Sequence, residues 1–474
     1  MMEFKRDEVR EIYDASLIQL NPESPATTAF KSIGMSISNN IVAILSRLIL
    51  TINLILIGHI SYKKKVLYEL IITYQVGIFI LEILGKYFII GLIKYLFEEK
   101  EEKRELYNLY IRMKTALVIL VPVIIGIVSI SSYYLIYLLL YKNLAIYDDI
   151  IIKEIYFKFM IFTPIIYLFE ILFFLNIQFL NYQKQTKEVF FYVFLFIIAH
   201  LTLCWILLYI IEIGILGITI SYCLNAFLFY LFSNKYIRKF GESSNQNFFF
   251  LIPINENFDG EVFNELKKKS FPSLLNFGEM FIIFFLFFAS LFTDKNQLIV
   301  NIIYLNFYEL IVSINRGFYY TLKRYILTNV ESAERRQKYV FIFSSYYLIL
   351  ALSIFIILLI FKNILLDYYI LYGWKKPLKI ISDKLRIIFP LSFLINSTRL
   401  LLSGMIRGMN IPLPIIRKIF YLIIYIILCY FLCFKYELGI FGLWISYLIL
   451  ILFFILECIH KAVIYLPQFF HNYI

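Results

Sequence analysis

The residues able to do chemistry in this chain are few, and they sit in apolar surroundings. Glu82, Lys86, Glu170, His200, Glu279, Glu309, Arg316 and Arg399 all fall inside long hydrophobic stretches. Charges at membrane depth are costly, so such residues face a bundle interior or a water-filled path and mark ion or solute routes. Glu279 follows Pro272 early in its stretch. A carboxylate at the edge of an apolar segment can take up and release a proton as its surroundings change from dry to wet. Glu82 and Lys86 have the i,i+4 spacing of an ion pair along one helix, and Glu309 and Arg316, seven apart, share a helix face. Arg399 near a cavity would disfavour a cationic solute and favour an anionic one. His200, a lone imidazole in an apolar stretch, reads as a hydrogen-bonded packing residue. The candidate cavity residues are Asn276, Asn396, Arg399, Glu309, Asn39 and Glu82.

Other chemistry is poorly supported. The five cysteines, Cys204, Cys223, Cys429, Cys433 and Cys458, lie in apolar stretches without metal-ligand spacing, so no metal is expected. No G-x-x-x-x-G-K-[ST] phosphate loop is present, and no loop is large enough for a soluble catalytic domain. The chain does not read as an enzyme. It needs no cofactor beyond a coupling ion, H+ or Na+.

The elements that must position these residues are membrane spans. The chain is 61% apolar and only 16% charged, against nearly half and a quarter in soluble domains. Hydrophobic stretches of about twenty residues, enough to cross a bilayer core of roughly 30 Å, recur throughout. Twelve spans are predicted, at about 29–60, 67–93, 115–140, 155–179, 189–211, 214–234, 263–292, 297–322, 337–361, 384–406, 413–435 and 440–465. The net charge of +12 sits in short loops between them, which fits cytoplasmic loops of a membrane protein and not a nucleic-acid surface.

The chain also repeats itself. E-I-G-I-L-G-I-T-I-S-Y at 212–222 returns as E-L-G-I-F-G-L-W-I-S-Y at 437–447, seven identities in eleven at an offset of 225 residues. The charged loop from Lys94 to Lys114 matches Lys323 to Lys338, and Pro164 falls within one residue of Pro390 at that offset. The expected fold is an all-α polytopic membrane protein, twelve helices in two six-helix lobes related by an internal parallel repeat. The lobes run in the same direction, so their axis lies along the membrane normal. The expected boundaries are a tail at 1–28, an N-lobe at 29–234, a loop at 235–262, a C-lobe at 263–465 and a tail at 466–474. Counting Lys and Arg by loop gives 26 on the side of the tails and 13 on the other, so both termini are expected in the cytoplasm. The loop at 362–386, with six of the thirteen, runs against that rule.

Several segments, in order, resemble the multidrug and toxic compound extrusion (MATE) transporters. They are I-G-H-I at 57–60 with Gly58 and His59, and L-N-Y-Q-K-Q-T-K-E at 180–188 with Gln183. G-F-Y-Y-T-L-K-R at 317–324, with Gly317 and Arg324, and G-M-I-R-G-M-N at 404–410, with Gly404, Arg407 and Gly408, follow. G-L-W at 442–444, with Gly442 and Trp444, closes the set. The resemblance covers most of 25–465. It implies a monomeric secondary transporter in a lipid bilayer that exports organic cations, xenobiotics or metabolites in exchange for H+ or Na+. It also implies that Glu279 couples proton to solute. The sequence departs from the family in span 10, where Asn396 stands in place of a second acid. A lipid-linked saccharide flippase of the same superfamily and a non-transporting relative are the alternatives.

Overall fold

The computed structural model describes residues 25–59, 64–82, 89, 103–144, 149–183, 185–237, 278–328, 333–360, 375–408 and 415–471. All regular structure in these segments is helical. The helices are α1 (Pro25–His59), α2 (Lys64–Leu81), α3 (Lys103–Leu144), α4 (Asp149–Lys158), α5 (Thr163–Tyr182), α6 (Thr186–Trp205) and α7 (Ile215–Ile237). The second half contributes α8 (Gly278–Ser290), α9 (Lys295–Thr328), α10 (Ala333–Ile360), α11 (Lys375–Leu385), α12 (Ile388–Gly408), α13 (Ile415–Cys429) and α14 (Ile440–His471). Each of the twelve predicted spans holds a helix. Eight are long and apolar enough to cross a membrane, and three shorter apolar helices, Ile44–His59, Ile71–Leu81 and Phe420–Lys435, fall in spans 1, 2 and 11. The stretch 238–277, which contains most of the expected inter-lobe loop, lies outside the described residues, as do the tails 1–24 and 472–474.

The surface and interior are inverted relative to a soluble protein. Phe191, Phe194, Trp205, Phe341, Ile349 and Leu456 point outward, as lipid-facing side chains would, while Asn, Ser, Glu and Arg side chains lie buried between helices. The first-half helices α3, α5, α6 and α7 pack on one another, and α9, α10, α12, α13 and α14 form a second group. α1 lies along the boundary: it touches α2, α5 and α6 of its own half, and α9 and α10 of the other.

The repeat is visible in the backbone. In both halves a helix ends in a π-helical turn, Ile206–Ile210 and Tyr430–Lys435. The amide of Ile213 then reaches back to the Leu207 carbonyl, and that of Leu438 to the Leu432 carbonyl, at 3.1 and 3.2 Å. Glu212 and Gly214 take φ of 59° and 66°, and Glu437 and Gly439 take 56° and 58°. This left-handed backbone is easy for glycine and costly for glutamate. The E-x-G spacing is therefore a turn that reverses the chain into the last helix of each half.

The basic segment that breaks the charge rule contains α11. Leu378 and Leu385 are buried, Ser382 pairs with the Tyr304 hydroxyl of α9, and Lys384 and Ile380 face outward. Four of the six basic residues of 362–386, Lys375, Lys376, Lys379 and Lys384, belong to this helix, which leads into α12.

Candidate functional site

Among the buried polar features of the described residues, two bear on function: a charge cluster between the halves and a cleft in the second half. The cluster is built by α1, the end of α2, and α9. Arg47 places Nη1 3.1 Å from Glu82 Oε2 and Nη2 3.3 Å from Glu309 Oε2. Arg316 Nη1 stands 3.5 Å from the same Glu309 oxygen. Arg47, Glu82 and Glu309 are almost fully buried, and Arg316 keeps 14% of its side chain exposed. Arg47 comes twelve residues before the end of α1 and Glu309 fourteen after the start of α9. At 1.5 Å per residue both lie roughly 20 Å from those ends, near the middle of a bilayer. Arg47 also lies over the Phe79 ring at 6.0 Å, and Phe79 stacks on Phe287 of α8 at 4.4 Å.

The same two helices stay in contact toward the start of α1. Asn40 donates its amide to the Ser313 carbonyl, and Gly317 packs on the backbone of Ser36. Any side chain at Gly317 would collide with the Ser36 carbonyl, so glycine is required for this approach.

The cleft is a narrow crevice with room for about a single water, lined by Ile282, Ile283, Arg316, Asn396, Arg399, Tyr447, Leu450, Ile451 and Phe454, from α8, α9, α12 and α14. Arg399 donates from Nε to Asn396 Oδ1 at 2.8 Å and lies over the Phe454 ring at 5.9 Å. Tyr447 shares a 3.0 Å hydrogen bond with Tyr308. Two guanidinium groups, an amide and a phenol thus converge on a crevice whose other walls are apolar.

The expected residues divide between these features. Asn396 and Arg399 line the cleft, Glu309 and Glu82 belong to the cluster, and Arg316 touches both. Glu309 and Arg316 pair along one helix as their spacing suggests, and Glu82 pairs with Arg47; the expected pairing of Glu82 with Lys86 falls on a residue outside the described ones. Asn276 is also outside them, and the side chains of Asn39, Glu279 and Arg324 are not described. Glu279 stands in the first turn of α8.

The motif residues have packing roles. Trp444 is buried and donates to Asn301 at 3.0 Å. His59 bonds the Ile55 carbonyl, Gln183 ends α5, and Arg407 lies over the Tyr319 ring. Gly404 faces Tyr319, Gly442 packs against the π turn at Leu432, and Gly58 and Gly408 are buried. His200 is a buried packing residue: its Nε2 meets Asn53 Oδ1 at 2.8 Å, Ser221 meets its Nδ1 at 3.2 Å, and Asn53 donates on to Tyr74.

Arg47 is the residue that the sequence reading does not single out. A basic residue inside span 1 is its one visible signal, and it points to no partner.

No family model matches the chain, and no curated protein matches it. Solved structures do. The eukaryotic MATE transporter AtDTX14 superposes with a TM-score of 0.70 over 93% of this chain and 96% of its own, at 14% identity. An outward-facing multidrug resistance MATE transporter of the MOP superfamily gives 0.65 over 94% and 97%, also at 14% identity. A MOP superfamily transporter from Pyrococcus furiosus, described by a reversed polarity of its binding pocket that suggests a different function, gives 0.60 over 94% and 97% at 12% identity.

Proposed function

On the strength of a fold shared end to end with MATE transporters, we propose that this chain is a secondary active transporter that exports an organic solute by alternating access. The two halves rock against each other around a path at the bilayer midplane, and both termini face the cytoplasm. The observation that carries this reading is the buried seam of charge between α1 and α9, which joins the halves where a solute would cross. H+ or Na+ drives the cycle by exchange, with Glu279 as the coupling carboxylate.

The solute is an amphipathic anion. Arg316 and Arg399 line the cleft, no carboxylate is among its described lining residues, and its other walls are largely apolar. Lipid-linked saccharides carrying a phosphate fall in this class. The Pyrococcus furiosus transporter with the reversed pocket polarity sets a parallel for such a change. Organic cations form the second reading, favoured by the fold shared with multidrug resistance MATE transporters.

The test is transport by proteoliposomes under an imposed pH or Na+ gradient, with a fluorescent amphipathic anion and a fluorescent organic cation as probes. Gradient-driven movement of the anion in preference to the cation is the expected result, and loss of gradient dependence in Glu279→Gln is expected with it. Movement of the cation alone would favour the second reading. Full coupling in Glu279→Gln would remove Glu279 from the mechanism.

A further inference from the structure

α1 and α9 belong to different halves, and they meet along a row of small residues. The contacts fix an antiparallel register. Ser36 meets Gly317, and Asn40, one turn on, donates its amide to the carbonyl of Ser313, one turn back. In the other direction the same register sets Ser32 level with Thr321. All six residues are buried. The row lies between the charge cluster and the side on which α1 begins, since Asn40 precedes Arg47 by seven residues, about 10 Å of helix.

This contact is close and also separable. A methyl on Gly317 would collide with the Ser36 carbonyl and stand 3.3 Å from Asn40 Cβ. Small residues let helix backbones approach in this way inside a membrane, and what they gain is chiefly van der Waals contact. Such contact loses up to half of its energy over a gap of about 1 Å. The hydroxyls of the row, meanwhile, bond within their own helices. Ser36 donates to the Ser32 carbonyl at 2.8 Å, Ser313 to that of Glu309 at 2.8 Å, and Thr321 to that of Gly317 at 3.0 Å. These three bonds survive when the helices part. A contact built like this suits two discrete arrangements, joined and parted.

We propose, on the basis of the alternating-access reading above, that the Gly317 crossing seals the transport path on the side where α1 begins. It is shut in the state seen here and opens when the halves rock. In the orientation proposed above, that side is the cytoplasm. Gly317 is a positioning residue: its missing side chain lets the two backbones close on each other.

The test is a reversible bridge across the crossing. Asn40→Cys/Ser313→Cys sets one thiol on each half, where the amide now reaches the carbonyl, and a disulfide or a short cleavable cross-linker joins them. Full-length protein in liposomes is assayed with the fluorescent anion and cation under an imposed gradient, and each single variant controls for the five native cysteines. Bridging is expected to cut gradient-driven transport by roughly tenfold, because a protein held in one state cannot alternate, and cleavage of the bridge to restore it. Gly317→Ala in the same background is expected to slow bridging by roughly tenfold, a shift of about 1.4 kcal/mol against the closed state. Bridging at an unchanged rate would remove Gly317 from the seal. Bridged protein that transports as fast as unbridged protein overturns the seal, because a static contact can be joined without harm. Thiols that never join, in protein that transports, overturn it too, because the two helices then do not meet as the closed seal requires. If this pair does not fold, Ser32→Cys/Thr321→Cys asks the same question one turn nearer the start of α1. Parent protein that moves neither probe under any gradient defeats the transport reading itself.

Discussion

The two halves of this molecule share a frame and differ in what they hold. At the repeat offset of 225 residues, Cys204, Ser221 and Tyr222 of the first half correspond to Cys429, Ser446 and Tyr447 of the second. Around them the first half holds a hydrogen-bonded set. His200 bonds to Asn53 from α1 and to Ser221, and its equivalent in the second half is Tyr425. At 226, the offset that aligns Pro164 with Pro390, buried Glu170 faces Asn396. Asn396 bonds Arg399, and Tyr447 and Arg399 line a narrow crevice. The frame repeats because both halves must satisfy the same backbone groups in lipid. The chemistry differs in what the polar groups meet: His200, Asn53 and Ser221 pair with one another, whereas Arg316, Asn396, Arg399 and Tyr447 converge on one crevice.

The largest effects should therefore separate the halves by transport and not by stability. Arg399→Ala should weaken binding of an amphipathic anion by about 2 kcal/mol or more, roughly thirtyfold, because it truncates a buried charge that faces the solute. Transport measured against anion concentration checks this, and an unchanged half-saturation would return the cleft to a packing role. In the first half, His200→Leu should do the reverse. It leaves Asn53 and Ser221 short of a buried partner and should lower stability by about 1–3 kcal/mol. Melting of the detergent-solubilised protein would show the loss, while transport per folded molecule should stay within roughly twofold. A large transport defect in melting-neutral His200→Leu protein would break the contrast and place part of the solute or ion path in the first half.

Much of the frame is legible in the sequence for a physical reason. A span shows itself in twenty consecutive residues, and a repeat shows itself wherever a turn demands glycine. The E-x-G turns and the twelve spans were open to reading on those terms. The cluster was not, because its contacts join residues 35 and 262 apart, Arg47 to Glu82 and Arg47 to Glu309. No local spacing carries such a pairing. Neighbour rules along one helix suggest Lys86 for Glu82, and Lys86 lies outside the described residues; the packing of α1 against α2 and α9 brings Arg47 to Glu82 from another helix. Arg399 and Asn396, three apart on one helix, were readable as a pair for the opposite reason.

The smallest effects concern the repeated turn, and they test how equal the two frames are. Gly214 and Gly439 have nearly the same left-handed φ, so alanine should strain both by about 1 kcal/mol. Gly439 carries an added constraint. A methyl there would collide with the Gln297 side chain, whose Oε1 accepts the Ile440 amide at 2.9 Å and so caps the start of α14. Gly439→Ala should thus lower stability further, by about 2 kcal/mol, as the cap is displaced along with the backbone. The glutamates two residues earlier hold left-handed backbone without glycine's freedom. Glu212→Gly and Glu437→Gly should each relieve strain and raise stability by about 0.5 kcal/mol, after the greater unfolded-state freedom of glycine is set against the gain. Melting of the four single variants side by side is the measurement. Equal losses for the two alanine variants would mean that Gln297 yields freely, and that the frames are more alike than the α14 cap makes them.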